Sequence, residues 1–293
     1  MTPENYARLK KNSKNDKLFI GTGCSFTQGQ GGLKDSVWES YNWNIPNTHT
    51  MAHLEEVEIE GSWVTQFCKN HYPDWTPINL GARGAGNYAA AQSLTSLYPE
   101  LNLEDTSKEK IVVFMLSGPE RYSIINSEWG ERFHGVFQSI WPDPNSDNPL
   151  WRAYANDMYS EKQTMLLTYF AIKQVQDWCK LYNAKLMLVS GFDFSYVARW
   201  NPGKVSETID LPWDLPSQMW KPEGHPSVFH MLLTNDGFSY DVANGGYWDG
   251  LNYNDAYPKG TPHVSRCCHP NYKGHAYIAN EMRKEFIDRG WLS

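Results

Sequence analysis

Four short apolar runs, separated by stretches with helical periodicity, constrain the fold of this chain more than any other feature. Two of these runs, Ile-Val-Val-Phe-Met-Leu and Leu-Met-Leu-Val, are apolar on both faces. Such runs are typical of parallel strands that are covered by helices on both sides. We therefore predict buried strands over residues 18–21, 77–80, 111–116 and 185–189.

Apolar residues recur with helical spacing between and after these runs. The strongest pattern extends from about Glu161 to Tyr182, and weaker patterns cover residues 63–68 and 88–95. A last helix is predicted near Pro270, because proline suits a first helical turn, and Gly290 closes it. Strands that alternate with helices predict an α/β fold with a parallel sheet and right-handed crossovers.

Two long stretches, residues 119–160 and 192–262, interrupt this alternation and show little periodicity. Long irregular segments in a compact domain are usually lids or binding loops. Each follows a predicted strand, so we expect both insertions to wall a cleft at the carboxyl edge of the sheet. No repeat or linker divides the chain, and we predict a single domain over residues 1–293. Aromatic surfaces for the cleft would come from Trp129, Trp141, Trp151, Trp200, Trp213, Trp220 and Trp248.

The composition argues against two classes of protein. A net charge of −7 does not suit a nucleic-acid-binding protein, which needs a basic surface to meet phosphates. No run of about 18 apolar residues is present, so we expect no membrane span. The first residues lack the apolar stretch of a secretory signal. Five cysteines, an odd number at irregular spacing, do not form a disulfide framework, and a reducing compartment is the simplest setting.

The first predicted strand leads into Gly21-Thr-Gly-Cys-Ser25-Phe-Thr-Gln-Gly29. A small polar residue between glycines, directly after a strand, is exposed at the carboxyl edge of an α/β sheet. A helix that starts at Ser25 would direct backbone N–H groups toward an oxyanion. A phosphate-binding loop is the rival interpretation, but the lysine that such a loop needs is missing. A serine that only caps a helix is the structural alternative.

Two further motifs are placed to meet Ser25. The second predicted strand ends in a turn rich in glycine and asparagine, from Asn79 to Asn87. His269 precedes the last predicted helix. A serine hydroxyl is a weak nucleophile without an adjacent base, and histidine has a suitable pKa for that base.

A metal site is an alternative use of the segment around His269. Its imidazole and thiol groups are His263, Cys267, Cys268, His269 and His275. Their spacing does not fit the repeated Cys-x₂₋₄-Cys pairs of structural zinc sites, so we predict no metal.

These motifs resemble the SGNH, or GDSL-like, hydrolase superfamily. Residues 23–27, Gly-Cys-Ser-Phe-Thr, resemble its first block, Gly-Asp-Ser-x-Thr, and this variant is similar to bacteriophage-encoded members. Residues 79–84 match the second block, Asn-x-x-x-x-Gly, and His269-Pro270 match the end of the last block, Asp-x-x-His-Pro. The resemblance implies a flavodoxin-like three-layer α/β/α sandwich. It also implies Ser25 as nucleophile, His269 as base and Gly84 as an oxyanion-hole glycine beside the Ser25 backbone.

The chain departs from the family pattern at two places. The third block, Gly-x-Asn-Asp, is replaced by Gly118-Pro-Glu-Arg121, and Asn87 is the candidate substitute for the missing oxyanion asparagine. Arg266 stands where the last block has its aspartate. The acceptor for His269 is then a backbone carbonyl, an acid such as Asp249 or Asp255, or absent, which would leave a Ser-His dyad.

The sequence therefore predicts an esterase that needs no cofactor. The resemblance suggests an acyl ester of a carbohydrate as substrate, and we expect a cytoplasmic or virion-associated protein without nucleic-acid or membrane partners. The alternative is a binding or structural module that has kept the fold and lost the chemistry.

Overall fold

The computed structural model describes residues 3–34, 55–125, 137–191, 219–225, 227–236, 262–264 and 269–293. The strands that it contains are, in chain order, β1 (Lys17–Gly23), β2 (Thr76–Asn79), β3 (Glu109–Leu116), β4 (Tyr122–Ile125), β5 (Phe137–Ile140) and β6 (Ala184–Ser190). Its α-helices are α1 (Pro3–Asn12), α2 (Ser25–Gln28), α3 (Trp63–His71), α4 (Asn87–Thr95), α5 (Pro149–Ala153), α6 (Glu161–Leu181), α7 (Val228–Asn235) and α8 (Tyr272–Asp288), and residues 55–61 are also helical.

The main sheet has four parallel strands in the order β2-β1-β3-β6. All four predicted apolar runs therefore form neighbouring strands of one sheet. Parallel strands need crossover connections, and the helices between them cover both faces of the sheet. The predicted α/β class, with a three-layer α/β/α sandwich, is confirmed.

Two separate apolar cores lie on the two faces of this sheet. Successive side chains of a strand point to opposite faces, and accordingly Phe19 of β1 belongs to one core while Leu18 and Ile20 belong to the other. Helices α3, α7 and α8 cover the Phe19 face. Helices α4 and α6 cover the opposite face. The sheet is therefore covered on both faces, and the loops that follow its strands leave from its carboxyl edge.

The insertion over residues 119–160 contains more regular structure than the sequence predicts. Strands β4 and β5 pair antiparallel as a separate two-stranded sheet. Helix α5 follows, and it continues into a π-helical turn over Tyr154–Met158. Of the second insertion, the structure describes helix α7 and short neighbouring segments. The single-domain organisation stays a prediction.

Two helix starts also differ from the sequence prediction. The last helix begins at Tyr272 rather than at Pro270, because Asn271 caps it by accepting a hydrogen bond from the Gly274 N–H. Pro270 instead pairs with Val264. A helix also starts at the amino end, where the sequence patterns indicate none: Pro3–Asn12 form helix α1, whose Leu9 is buried. Among the described residues, no helix combines the length and apolar character that crossing a bilayer requires.

The Phe19 core supplies a test of the fold. Phe67 is fully buried, and its ring stacks on Phe19 with 4.2 Å between the ring centres. We expect Phe67→Ala to lower the free energy of unfolding by about 3–5 kcal/mol, since it removes apolar contacts and leaves a cavity. Phe170→Ala is the matched control, because Phe170 is 53% exposed, and it should change stability by about 0.5 kcal/mol or less. Urea denaturation of both variants measures the difference, and equal losses would contradict this packing.

Candidate active site

Ser25 lies at the start of the short helix α2, directly after strand β1. Cys24 is the N-cap residue in an extended conformation, and Gly29 ends the helix with φ of 106°, in the left-handed region. Only glycine adopts this conformation readily, so the short helix can end within one turn. The first residues of a helix have no acceptor in a preceding turn, so the Ser25 N–H points out of the helix start. Ser25 itself is 4% exposed.

The loop after β2 runs alongside the Ser25 turn. The Ala82 N–H donates to the Gly23 carbonyl oxygen at 3.1 Å, which continues the pairing of the two strands into the loops. A Cβ atom on Gly81 would come within 2.3 Å of the Gln28 nitrogen, so only glycine fits there. Gly84, three residues further along the same loop, has a φ of 70°, in the left-handed region that glycine adopts readily.

Asn79 holds these two loops together. Its side-chain Nδ2 donates to the Thr27 carbonyl oxygen at 2.9 Å and to the Ser62 hydroxyl at 3.0 Å. Its Oδ1 accepts from the Gly81 N–H at 3.0 Å. Asn79 is buried, so these bonds form where water does not compete. The first residue of the second sequence block therefore has a structural role at the site.

Arg83, in the same loop, forms an ion pair with the buried Glu58. Its Nε also donates to the Gln28 side chain at 3.3 Å. Burial raises the pKa of Glu58, and the positive charge of Arg83 opposes that rise. Arg83 thus fastens the loop next to Gly84 to the helical segment 55–61 through Glu58 and to the end of α2 through Gln28.

His269 contacts Ser25 directly. Its Nε2 lies 2.8 Å from the Ser25 Oγ, which is hydrogen-bonding distance. The imidazole ring also packs edge-on against Phe26, with 5.4 Å between the ring centres. The prediction that these two side chains come within hydrogen-bond reach at the carboxyl edge of the sheet is confirmed.

Asn87 does not fit the role that the sequence suggested. Its Nδ2 donates to the Ser117 carbonyl oxygen at 3.0 Å and to the Thr168 hydroxyl at 3.2 Å, which uses both of its protons. Its Oδ1 accepts from the Ser117 N–H at 2.8 Å. The side chain therefore joins helix α4 to the end of β3 and helix α6. We correct the assignment of Asn87 as an oxyanion donor for this reason.

Glu120 occupies the place of the missing asparagine in the third block. Glu120 is 1% exposed, and its carboxyl group occupies the space that a side chain at Gly118 would need. Burial raises the pKa of Glu120, which the neighbouring Arg121 partly offsets. The sequence showed that asparagine was absent, but only the structure shows that a carboxyl group is buried there.

The segment before His269 contains an acid–histidine pair that the sequence did not indicate. The His263 Nδ1 lies 2.6 Å from Asp236 Oδ1, and the His263 backbone N–H donates to Asp236 Oδ2 at 3.0 Å. The Asp236 side chain is fully buried. Of the zinc candidates, His263 is thus held by a carboxylate, while Cys267 and Cys268 lie outside the described residues. Within the described ranges, no three potential ligand side chains are grouped to hold a metal ion.

The third partner of a catalytic triad falls on residues that the structure does not describe. Asp249, Asp255 and Arg266 all lie outside the described ranges. The triad and the Ser-His dyad therefore both stay predictions.

Two adjoining cavities lie at the same edge of the sheet, between helix α6 and the first insertion. They have volumes of about 280 Å³ and 300 Å³, and both are lined by Tyr122, Thr164 and Leu167. Asn87, which follows the loop after β2, and Pro119, in the loop after β3, line the first cavity. Together these cavities form a groove, whose size suits a small ligand.

Tyrosines and short polar side chains, rather than tryptophans, form the walls of this groove. Tyr88 lines one end, and Tyr154, which stacks on Tyr122, lines the other. Trp141 and Trp151 pack near each other, and Trp220 packs against the core on the Phe19 face. The remaining candidates, Trp129, Trp200, Trp213 and Trp248, lie outside the described residues.

His275 is a second histidine behind the site, and it is fully buried. Its Nδ1 accepts a hydrogen bond from the Trp63 backbone N–H at 3.3 Å, which requires an unprotonated Nδ1. The pKa of His275 is lowered to about 3, mainly by burial; a hydrogen bond with the Gln30 backbone opposes this shift, and the nearby His269 adds to it. His275 is therefore neutral at the start of helix α3, where a positive charge would be unfavourable.

The pKa of His275 predicts a pH-dependent stability. Between pH 6.5 and about 3 the unfolded chain binds a proton at His275 that the folded chain does not. The free energy of unfolding should therefore fall as the pH drops through this window, by up to about 1.4 kcal/mol per pH unit from this residue. Asn can accept the Trp63 N–H without binding a proton, so His275→Asn should flatten this slope in denaturation measured from pH 7 to 4. An unchanged slope would contradict the burial of a neutral histidine.

No protein-family model matches the chain, and no match is found among curated proteins. Among solved structures, the chain is similar to a protein from Chitinophaga pinensis DSM 2588 that is described as "a possible lipase". The two share 18% sequence identity, with 94% of this chain and 99% of the other covered and a TM-score of 0.41. At that TM-score the similarity supports no conclusion about the chemistry.

Proposed function

We propose that the protein is a serine hydrolase that cleaves an ester, with Ser25 as nucleophile and His269 as general base. The observation that carries this proposal is the 2.8 Å contact between His269 Nε2 and Ser25 Oγ. A nucleophile and a base within hydrogen-bond reach, held by rigid elements at the carboxyl edge of a sheet, are what acyl transfer requires.

The reaction follows from this contact. Nε2 of His269 takes the hydroxyl proton as Ser25 Oγ forms a bond to the ester carbonyl carbon. The resulting imidazolium then gives that proton to the leaving alcohol as the carbon–oxygen bond breaks, and an acyl-enzyme remains on Ser25. A water molecule, deprotonated by His269, attacks the acyl-enzyme, releases the acid and restores the serine.

The oxyanion that forms in each step needs hydrogen-bond donors. We assign the backbone N–H groups of Ser25 and Gly84 to this role. The first lies at the start of α2, and the second lies in the loop that pairs with Gly23 through Ala82. Donors fixed before the reaction stabilise the developing charge without reorganisation, and one such donor contributes about 10²–10³ in rate.

Three arrangements are open for the Nδ1 atom of His269. It bonds to a backbone carbonyl, it bonds to an acid such as Asp249 or Asp255, or it has no acid partner, which leaves a Ser-His dyad. Loss of the acid in a serine protease costs about 10⁴ in rate, so a dyad would be a slow enzyme.

An acyl ester of a carbohydrate is the substrate class that the groove favours. Its tyrosines offer flat apolar surfaces to a sugar ring. The Ser123, Ser160, Gln163 and Thr164 side chains in its walls offer hydrogen-bonding groups to sugar hydroxyls. The groove begins at the loop after β3, and β3 is the neighbour of β1, which carries Ser25. The bacteriophage resemblance of residues 23–27 stays a prediction.

A non-catalytic binding module is the alternative function. Two observations favour it: Ser25 is 4% exposed, and the Asn87 amide is used in packing rather than at the site. Such a module would bind a carbohydrate in the groove without cleaving it. The two functions differ in whether Ser25 reacts with an acylating reagent.

The nucleophile is tested by a fluorophosphonate, which bonds covalently to activated serines. In the wild type we expect labelling at Ser25, mapped by mass spectrometry. In Ser25→Ala we expect kcat for p-nitrophenyl acetate to fall by a factor of about 10⁶, or to the background rate. Ser107→Ala is the control, because Ser107 lies in an exposed turn and should leave the rate unchanged. A Ser25→Ala protein that keeps most of its rate would refute the mechanism. A wild-type protein without labelling would instead support the binding module.

The groove is tested by Leu167→Trp, which places a large side chain at the wall that both cavities share. We expect kcat/KM for an acetylated xylo-oligosaccharide to fall at least about tenfold, or ~1.4 kcal/mol, because the sugar loses its space. Hydrolysis of p-nitrophenyl acetate should change less than about twofold, since this small ester does not need the groove. Leu166→Trp is the matched control, because Leu166 is 43% exposed and does not line either cavity. Equal losses on both substrates would contradict the assignment.

A further inference from the structure

The pair formed by Asp236 and His263 has the geometry of an orienting acid and its histidine. One carboxylate accepts two hydrogen bonds from the same residue, one from the His263 backbone N–H at 3.0 Å and one from its Nδ1–H at 2.6 Å. Two bonds from one carboxylate fix both the main chain and the ring orientation of His263. Charge-assisted bonds of this kind are the strong ones in proteins.

Asp236 lies at a position where a carboxylate is energetically unfavourable. It is the C-cap residue of helix α7, and its side chain is fully buried. Negative charge is unfavourable near the carboxyl end of a helix, and a buried carboxylate also loses its hydration. The two donors of His263 offset these costs. A carboxylate kept in such a place is expected where it serves the site rather than the stability of the helix.

Residues 262–264 connect this pair to the segment that holds His269. The Asn271 N–H donates to the His263 carbonyl oxygen at 2.9 Å, and the Asn271 side chain donates to the Pro262 carbonyl oxygen at 3.0 Å. Val264 pairs with Pro270, which directly follows His269. Gly274 lies so close to the His263 carbonyl oxygen that a Cβ atom there would approach to 2.1 Å. Movement of His263 would therefore move the chain next to His269.

A second route joins helix α7 to the same site through packed rings. Phe229 of α7 packs against Phe26, with 5.5 Å between ring centres. Phe26 in turn follows Ser25 and packs against the His269 ring. Helix α7 thus packs against Phe26 near its start and, through its C-cap residue Asp236, bonds to His263 at its end.

We infer that Asp236 and His263 are positioning residues, which set the placement of His269 relative to Ser25. This inference rests on the function proposed above for Ser25 and His269. The pair supplies, from a different helix and through the backbone, the orienting hold that an aspartate three residues before His269 would otherwise give. Arg266 stands at that position in this chain.

The test compares two acid-to-amide changes in the full chain. In Asp236→Asn one of the two acceptor oxygens becomes an NH₂ group that faces a donor, so one hydrogen bond is lost. We expect kcat for p-nitrophenyl acetate to fall at least about tenfold, since a displacement of ~1 Å in a site can cost about 10² in rate. KM should stay within about twofold, because Asp236 does not contact the substrate. Asp288→Asn, at the exposed end of α8, is the matched control and should change neither value.

His263→Asn separates positioning from imidazole chemistry. Its side-chain NH₂ can replace the Nδ1–H and donate to Asp236, so kcat should stay within about threefold of wild type. His263→Ala, which lacks the donor, should fall as far as Asp236→Asn. A fall in His263→Asn as large as in His263→Ala would overturn the inference.

A variant in the other core tests whether a general loss of stability explains the fall in kcat. Leu103→Ala removes a buried side chain from the core on the opposite face of the sheet. It should lower the unfolding temperature at least as much as Asp236→Asn while keeping kcat. Equal losses of kcat in the two variants at equal unfolding temperature would show that Asp236 only stabilises the fold.

The histidine ring signals in NMR spectra keep this test separate from that of the proposed function. In Asp236→Asn we expect the His269 signals to shift or broaden, whether or not the protein hydrolyses esters. Unchanged His269 signals would refute the positioning role. A wild-type protein that neither labels at Ser25 nor cleaves an ester would refute the hydrolase proposal and leave this structural readout standing.

Discussion

Strand β1 lies between β2 and β3 and is buried on both faces, and the arrangement of the site depends on this double pairing. Its register with β3 places Gly23 opposite Met115, and the Ala82 N–H bond extends its pairing with β2 beyond the strands. Because all three strands are parallel, the loops that follow them begin at the same edge of the sheet, its carboxyl edge. The loops that contain Ser25, Gly84 and Ser117 therefore all start from the same edge of the sheet.

The sheet could be predicted because its strands are apolar on both faces, a pattern that few other structures explain. The insertions could not be predicted in the same way. Strands β4 and β5 are four residues each and pair with each other rather than with the main sheet, so no long periodic signal marks them. Helix α1 was missed for a different reason: its polar sequence hides a single buried face around Leu9. Tertiary packing, rather than local propensity, decides such short elements.

The candidate site shows the same contrast between residues in local motifs, which could be predicted, and long-range contacts, which could not. Ser25 and His269 stand in local motifs whose spacing from a strand or helix carries information, and the structure joins them by one hydrogen bond. The Asp236–His263 contact spans 27 residues of irregular sequence, so no spacing rule indicates it. Asn87 shows the same limit from the other side. Its local motif suggested an oxyanion donor, but its amide is bound to Ser117, which lies 30 residues further along the chain.

The groove has one wall on the core fold and one on the insertion. Helix α6 supplies Leu167 and Thr164, whereas Tyr122 and Tyr154 come from the segment between β3 and α6. The Ser25 and His269 segments contain none of these residues. Changes in the length or sequence of that insertion therefore alter the shape of the groove while Ser25 and His269 stay in place. A scaffold divided in this way can acquire new ligand preferences over evolutionary time, or in a directed library, by exchange of one contiguous stretch of sequence.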